Sequence, residues 1–206
     1  MKVTLDWNDY PDIRGGDPIF RPPPESLRSV PYLYDRALSA RYMLALSGGT
    51  DALKHTVSAE VHLGTFNRAS LSDFVGMEEV MQNAGYKDFK ILNSTSPLLH
   101  FMRLMRHYQI HVGDFSIGRH EVQVLFYGKP AEMTVGVIAD LHPDQFLPLK
   151  AVSRFDTYSA SDLQRMIDLF DEQQRRMGAY EVFYQGIQRL ITDIEAALRR
   201  RPPTGA

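Results

Sequence analysis

Apolar residues recur along this chain at two periods, and the change from one to the other sets the expected architecture. From about Ser26 to Leu46, the positions Tyr34, Leu38, Tyr42, Ala45 and Leu46 fall at helical spacing until Gly48 and Gly49 stop the pattern. Leu53, Val57 and Val61 continue it at i, i+4 and i+8 between Asp51 and Ala69. A shorter helix from Leu71 to Ala84 carries Phe74, Met77, Val80 and Met81 before Gly85. After a polar break at Asn93, Ser94 and Thr95, the stretch from Ser96 to Val112 aligns Leu98, Phe101, Met102, Met105, Tyr108 and Val112 on one stripe. The period then drops to two. Val122, Val124 and Phe126, then Met133, Val135 and Val137, alternate on either side of Gly128-Lys129-Pro130, which predicts a β-hairpin. Helical spacing returns after Ser159-Ala160-Ser161-Asp162, a helix-start pattern, with Leu163, Met166, Ile167, Phe170 and Met177. Beyond Gly178 a second stripe runs through Phe183, Ile187, Leu190, Ile191, Ile194 and Leu198.

These patterns predict a mainly α protein. Residues 1–24 hold Asn8, Pro11, Gly15, Gly16, Pro18, Pro22, Pro23 and Pro24, so they read as an N-terminal arm, in which Val3, Leu5 and Trp7 alternate as a short edge strand would. Residues 25–206 read as a single helical domain. Its bundle core spans 25–113, an inserted β-hairpin 119–139 and a C-terminal helical pair 158–200. The length of 206 residues, 44% of them hydrophobic, is enough for one sizeable core.

Composition removes several classes of function. No run of about 18 apolar residues exists, and Asp6 and Asp9 stand where a signal peptide would be apolar, so neither a membrane span nor export is expected. The absence of cysteine excludes disulfides, thiolate zinc sites and cysteine nucleophiles, and makes the reducing cytoplasm the expected location. With 23 Lys+Arg against 25 Asp+Glu, the net charge of −2 offers no global attraction to nucleic acid. Any such binding must come from a local patch.

That patch lies between Ser94 and His120. Its 27 residues hold His100, Arg103, Arg106, His107, His111, Arg119 and His120 against one acid, Asp114. At about 100° per residue, His100, Arg103, His107, His111 and Asp114 project opposite the Leu98, Met102 and Met105 stripe, with Arg106 at the margin. The bland reading is the solvated face of an amphipathic helix. Other charged or hydroxylic groups have ordinary explanations. Arg199, Arg200 and Arg201 suit a helix C-terminus, Asp168, Asp171 and Glu172 alternate with Gln and Arg as on a solvated face, and Ser94, Thr95 and Ser96 read as helix caps. No phosphate-binding Gly loop and no Gly-x-Ser-x-Gly elbow is present.

Arg106-His107-Tyr108-Gln109-Ile110-His111 places four residues between an Arg and a His, with a polar residue directly after the Arg and Gly113 just beyond. Together with the preceding Pro97-Leu98-Leu99-His100-Phe101-Met102, it resembles the signature of the HEPN superfamily of small helical-bundle proteins, over about residues 28–113. The hairpin and the C-terminal pair lie outside that resemblance. It implies a HEPN-like bundle and, as in many members, a homodimeric, metal-independent endoribonuclease acting on RNA without a cofactor. RNA carries its own nucleophile, the 2′-hydroxyl. His111 would act as general base or acid, Arg106 would hold the scissile phosphate, and His107 would orient one of them. Arg103 and Arg119 would be phosphate contacts. Toxin and antiviral-defence roles, with a cognate inhibitor or a larger complex as partner, are common in the family, and some members lack nuclease activity.

Two alternatives use the same segment. His107 and His111, with His100 or Asp114, could ligate one metal. His-x-x-x-His with Gly113 also resembles DinB-like metal-binding bundles, with His55 or His62 as third ligand, although Asp114 departs from that pattern. The other alternative is a non-catalytic interaction module whose paired C-terminal helices and hairpin make the contacts, with exposed aromatic residues such as Phe183 and Tyr184 mattering more than His111.

Overall fold

The computed structural model describes residues 4–11, 21–48, 57–126, 129–153 and 157–200. The helical expectation over 51–56, including His55, lies outside the described residues, as do Val3, Gly15, Gly16 and Arg201.

The first helical pattern is divided in two. A 3-10 turn, Glu25–Ser29, precedes helix α1, Leu33–Gly48. The break falls before Pro31, whose ring disfavours helical geometry in the preceding residue. Val30 accordingly lies at φ −116° and ψ 122°, and Tyr32 at φ 67°. Helix α2, Ala59–Asn83, does the opposite and fuses two expected helices into one of 25 residues. Ser70 and Ser72 do not interrupt it, because their hydroxyls donate to the Ala40 and Arg68 carbonyls at 2.8 Å each. Ser58 caps its start, accepting the Val61 N–H.

The next elements are helix α3, Pro97–His111, and an antiparallel ribbon of β1, Ser116–Phe126, and β2, Lys129–Ala139. Pairing runs from Ser116 opposite Ala139 to Phe126 opposite Lys129, so Lys129 and Pro130, expected in the turn, belong to β2. Two short helices that apolar periodicity had not marked follow, α4, Pro143–Phe146, and α5, Lys150–Ser153. The chain then forms α6, Ala160–Met177, and α7, Ala179–Arg200. The start of α6 is a capping box: Ser159 Oγ accepts the Asp162 N–H at 3.1 Å and the Asp162 carboxylate accepts the Ser159 N–H at 2.9 Å. Gly178, at φ 86°, makes the corner between α6 and α7.

Cross-links between helices give their directions. Arg36 and Ser39 bond Asp73 while His62 reaches the Leu46 carbonyl, so α1 and α2 are antiparallel. Arg103 lies by Glu78 while Arg68 bonds Asp114, so α2 and α3 are antiparallel as well. Buried Leu98, Leu99, Phe101, Met102, Leu104 and Met105 make α3 the centre of a continuous apolar cluster that extends from Leu27 to Ile194. Phe101 stands 5.5 Å from Phe146 and 5.3 Å from Phe170, ring centre to ring centre. Helix α7 reaches α3 at Gly186, where a Cβ would collide with Met102 Sδ and stand 3.4 Å from Leu98 Cγ.

The described part of the arm is not a strand. Leu5 and Trp7 lie in irregular backbone held by the Asp6 N–H to the Thr95 carbonyl (2.9 Å) and by the Arg165 guanidinium over the Trp7 ring. The hydroxyls of Thr95 and Ser96, expected to cap α3, donate instead to the carboxylate and carbonyl of Asp9.

The ribbon is fastened by one side chain. Gln174, fully buried, donates to the Ile138 carbonyl (2.8 Å) and accepts the Ile138 N–H (2.7 Å), as a neighbouring strand would. In Gln174→Leu both backbone groups lose their partner, and an expected loss of about 2–4 kcal/mol follows from two unmade buried hydrogen bonds. Urea unfolding measures it. A loss no larger than that of an exposed substitution would mean the clamp is not structural.

Candidate functional site

The last two turns of α3 bring the expected residues to one end of the bundle, though not all of them to one surface. His100 leaves the group. It is 2% exposed, its Nε2 donates to the Ser94 carbonyl at 2.8 Å, and its Nδ1 pairs with the Tyr158 hydroxyl at 2.5 Å. Because a carbonyl only accepts, Nδ1 is the acceptor for the Tyr158 O–H. Burial, the main cause, lowers the pKa of His100. With both nitrogens engaged, His100 is a core histidine and not a metal ligand beside His107 and His111. His62 is also buried, with Nε2 3.1 Å from the Leu46 carbonyl and its ring against Phe66. Both carboxylate oxygens of Asp114 accept from Arg68 Nη1, at 2.7 and 3.0 Å. Among the described residues no group of three or more His, Cys, Asp or Glu is placed to hold a metal ion.

Arg103 is not an open phosphate contact. Its side chain is 19% exposed and its Nε faces Glu78 Oε2 at 3.8 Å, too long for a hydrogen bond. Neither atom has another partner. Burial raises the pKa of Glu78, opposed by the Arg103 charge and by hydrogen bonds from the Ile91 backbone and Gln82. The acid at 78 was missed in the sequence because nothing local tells that α2 presents it to α3.

Arg106 is partly buried, and its guanidinium makes no hydrogen bond or ion pair among the described residues. Burial lowers its pKa, against the opposing charge of Glu79 on α2. His107 and His111, one turn apart, hold their rings parallel, 13° between planes and 6.2 Å between centres. His111 is exposed at the C-terminal end of α3. His107 is half-buried and its Nε2 is enclosed with no partner. Burial first, then the charges of Arg103, His111 and Arg106, lower its pKa to about 4. Arg119 is exposed on β1, and its charge bears on Glu60 of α2.

Phe183 and Tyr184, required to be exposed by the interaction-module reading, are 1% and 8% exposed and belong to the core. The exposed large apolar side chains include Val57 and Val61 at the start of α2 and Ile110 and Val112 at the end of α3. Antiparallel packing of α2 and α3 puts all four at the end of the bundle that carries His111.

The lowered pKa values of His100 and His107 fix the sign of a pH dependence. Below 6.5 the unfolded chain binds protons that the folded chain refuses, so stability is complete above that value and declines as pH falls toward 4. In His107→Gln this decline should be shallower. Urea midpoints at neutral and mildly acidic pH measure it, and an unchanged slope would show that His107 titrates alike in both states.

Comparison with family models, curated proteins and solved structures finds no match. The fold and site therefore define the class directly: a mainly helical protein with a two-stranded antiparallel ribbon, carrying an Arg/His cluster at one end of its central helix. None of its described helices is long and apolar enough to cross a membrane.

Proposed function

We propose that the chain is a HEPN-like, metal-independent endoribonuclease that works as a homodimer on RNA, with Arg106 and His111 as the catalytic pair. The observation that carries this reading is the end of α3, where Arg106, without a hydrogen bond or ion pair among the described residues, adjoins His107, whose ring lies parallel to that of exposed His111. His111 takes the proton of the ribose 2′-hydroxyl, the 2′-oxygen bonds to phosphorus, and the bond from phosphorus to the 5′-oxygen breaks with return of a proton to that oxygen. Arg106 neutralises the charge that builds on the non-bridging oxygens. His107, kept neutral, acts as the plate against which His111 is oriented.

Val57, Val61, Ile110 and Val112 support pairing at this end, since all four are exposed apolar side chains there. The same four favour a second reading, a non-catalytic module that binds another protein there. Incubating the purified chain with a mixed RNA pool in excess chelator separates the two. The nuclease reading expects cleavage that survives the chelator and leaves 2′,3′-cyclic phosphate and 5′-hydroxyl ends. Intact RNA with and without chelator or added divalent metal would leave the second reading.

A further inference from the structure

The ribbon leaves one strand edge open. On β2 the N–H and C=O of Ile138 both engage Gln174 of α6, so they point away from β1. The N–H and C=O of one residue leave an antiparallel strand on the same side, and that side alternates at every residue. The unbroken register pairs Ile138 with Ile117. Ile117, Arg119, Glu121 and Gln123 therefore turn their backbone groups outward from β1, while Gly118, His120 and Val122 bond β2. Among the described residues nothing bonds the outward set. The Gln123 side chain donates to Glu132 at 2.7 Å, which fits this phase, since opposite side chains approach most closely where the backbones do not bond. Neighbouring elements meet the ribbon on its two faces, Leu63 of α2 at Gly136 and Gly178 at the Val135 side chain.

A row of unmet donors and acceptors is a template for another strand, and proline or a bulge is a common means of blocking it. Strand β1 has neither. Its side chains decide which strand fits. Arg119 and Glu121 are exposed, and neither makes a hydrogen bond or ion pair among the described residues. Against a second β1 running the other way, outward residues meet outward residues, so the registers differ by steps of two. Centring the pair on Arg119 or on Glu121 opposes like charges. Centring it on His120 sets Arg119 of each copy opposite Glu121 of the other and Ile117 opposite Gln123.

We infer that the β1 edge is an interface for a second copy of this chain, the two ribbons joining in a four-stranded antiparallel sheet with His120 on the two-fold axis and an Arg119–Glu121 pair on either side of it. The inference goes beyond the nuclease reading, and its test reads association instead of catalysis, so either can fail alone.

Sedimentation velocity of the full chain should show a concentration-dependent dimer. Arg119→Glu and Glu121→Arg each oppose like charges twice and should weaken it about tenfold or more. An equimolar mixture of the two variants should restore it, because every guanidinium then meets a carboxylate. The chain has no cysteine, so a disulfide reports the register directly. His120→Cys should cross-link under mild oxidation, because Cα atoms of an opposite, non-bonded pair stand about 4.5 Å apart. Gln123→Cys, about 20 Å from its counterpart by strand rise, should not. A monomeric wild type would leave the edge to a strand of another protein and overturn the self-pairing. So would a dimer that neither charge variant weakens, a mixture no tighter than its components, or equal cross-linking at positions 120 and 123. Thermal melts of each variant show that it is folded.

Discussion

Arg106→Ala and His111→Ala should each reduce RNA cleavage in excess chelator by about two to four orders of magnitude, the range for removing one charge-stabilising donor or one general acid–base group. The two losses should be far from additive, because both groups act on one transition state. Arg106→Lys should recover little. A lysine keeps the charge but loses the planar fork that spans two phosphate oxygens. Arg103→Ala is the contrasting case: Arg103 faces Glu78, so its removal strands a buried carboxylate and should cost stability more than rate. Cleavage measured as initial rates on labelled single-stranded RNA, with urea midpoints on the same samples, distinguishes the patterns. Full activity in Arg106→Ala and His111→Ala would assign any cleavage to another site or to a contaminant.

Phe101→Ala should remove about 3–5 kcal/mol of stability, the usual cost of emptying an aromatic position in a packed core. Phe101 is fully buried, and its ring lies between Phe146 and Phe170. Phe146 in turn touches Tyr108 at 5.7 Å, and Tyr108 stacks on Phe115 at 4.6 Å, just beyond the end of α3. The cavity left by Phe101 therefore opens within the aromatic cluster that packs against α3. Ile110→Ala, on the exposed side of the same helix, should change the unfolding free energy by less than about 0.5 kcal/mol. Denaturant titration of the two variants provides the comparison, and equal losses would mean that the Phe101 pocket is not the keystone of the core.

The stretch that forms α3 was legible almost to the residue, from Ser96 to Val112 against Pro97–His111, because proline at its start and a regular apolar stripe are both local signals. The capping box at Ser159 and the corner at Gly178 were legible for the same reason. Helix α2 was read as two because Ala69, Ser70 and Leu71 look like a pause. Whether serine breaks a helix depends on where its hydroxyl can donate, and Ser70 finds the Ala40 carbonyl on another helix.

The candidate site shows the same division. His107 and His111 fall on one face of α3 by helical geometry alone, so their proximity follows from spacing, with Arg106 at the margin of that face. The placement of His100 with them was wrong. Angle around the helix says which residues share a face, but not which faces will be covered, and Tyr158, 58 positions away, covers this one. Burial of Phe183 and Tyr184 and the approach of Glu78 to Arg103 are likewise contacts between elements distant in the chain. Periodicity, caps and turn residues act within a few positions, so helix, strand and the Arg/His spacing were decided there. Which imidazole is closed in the core, which guanidinium meets an acid and which stays unpaired were decided only when desolvation and long-range pairing set each side chain against its neighbours.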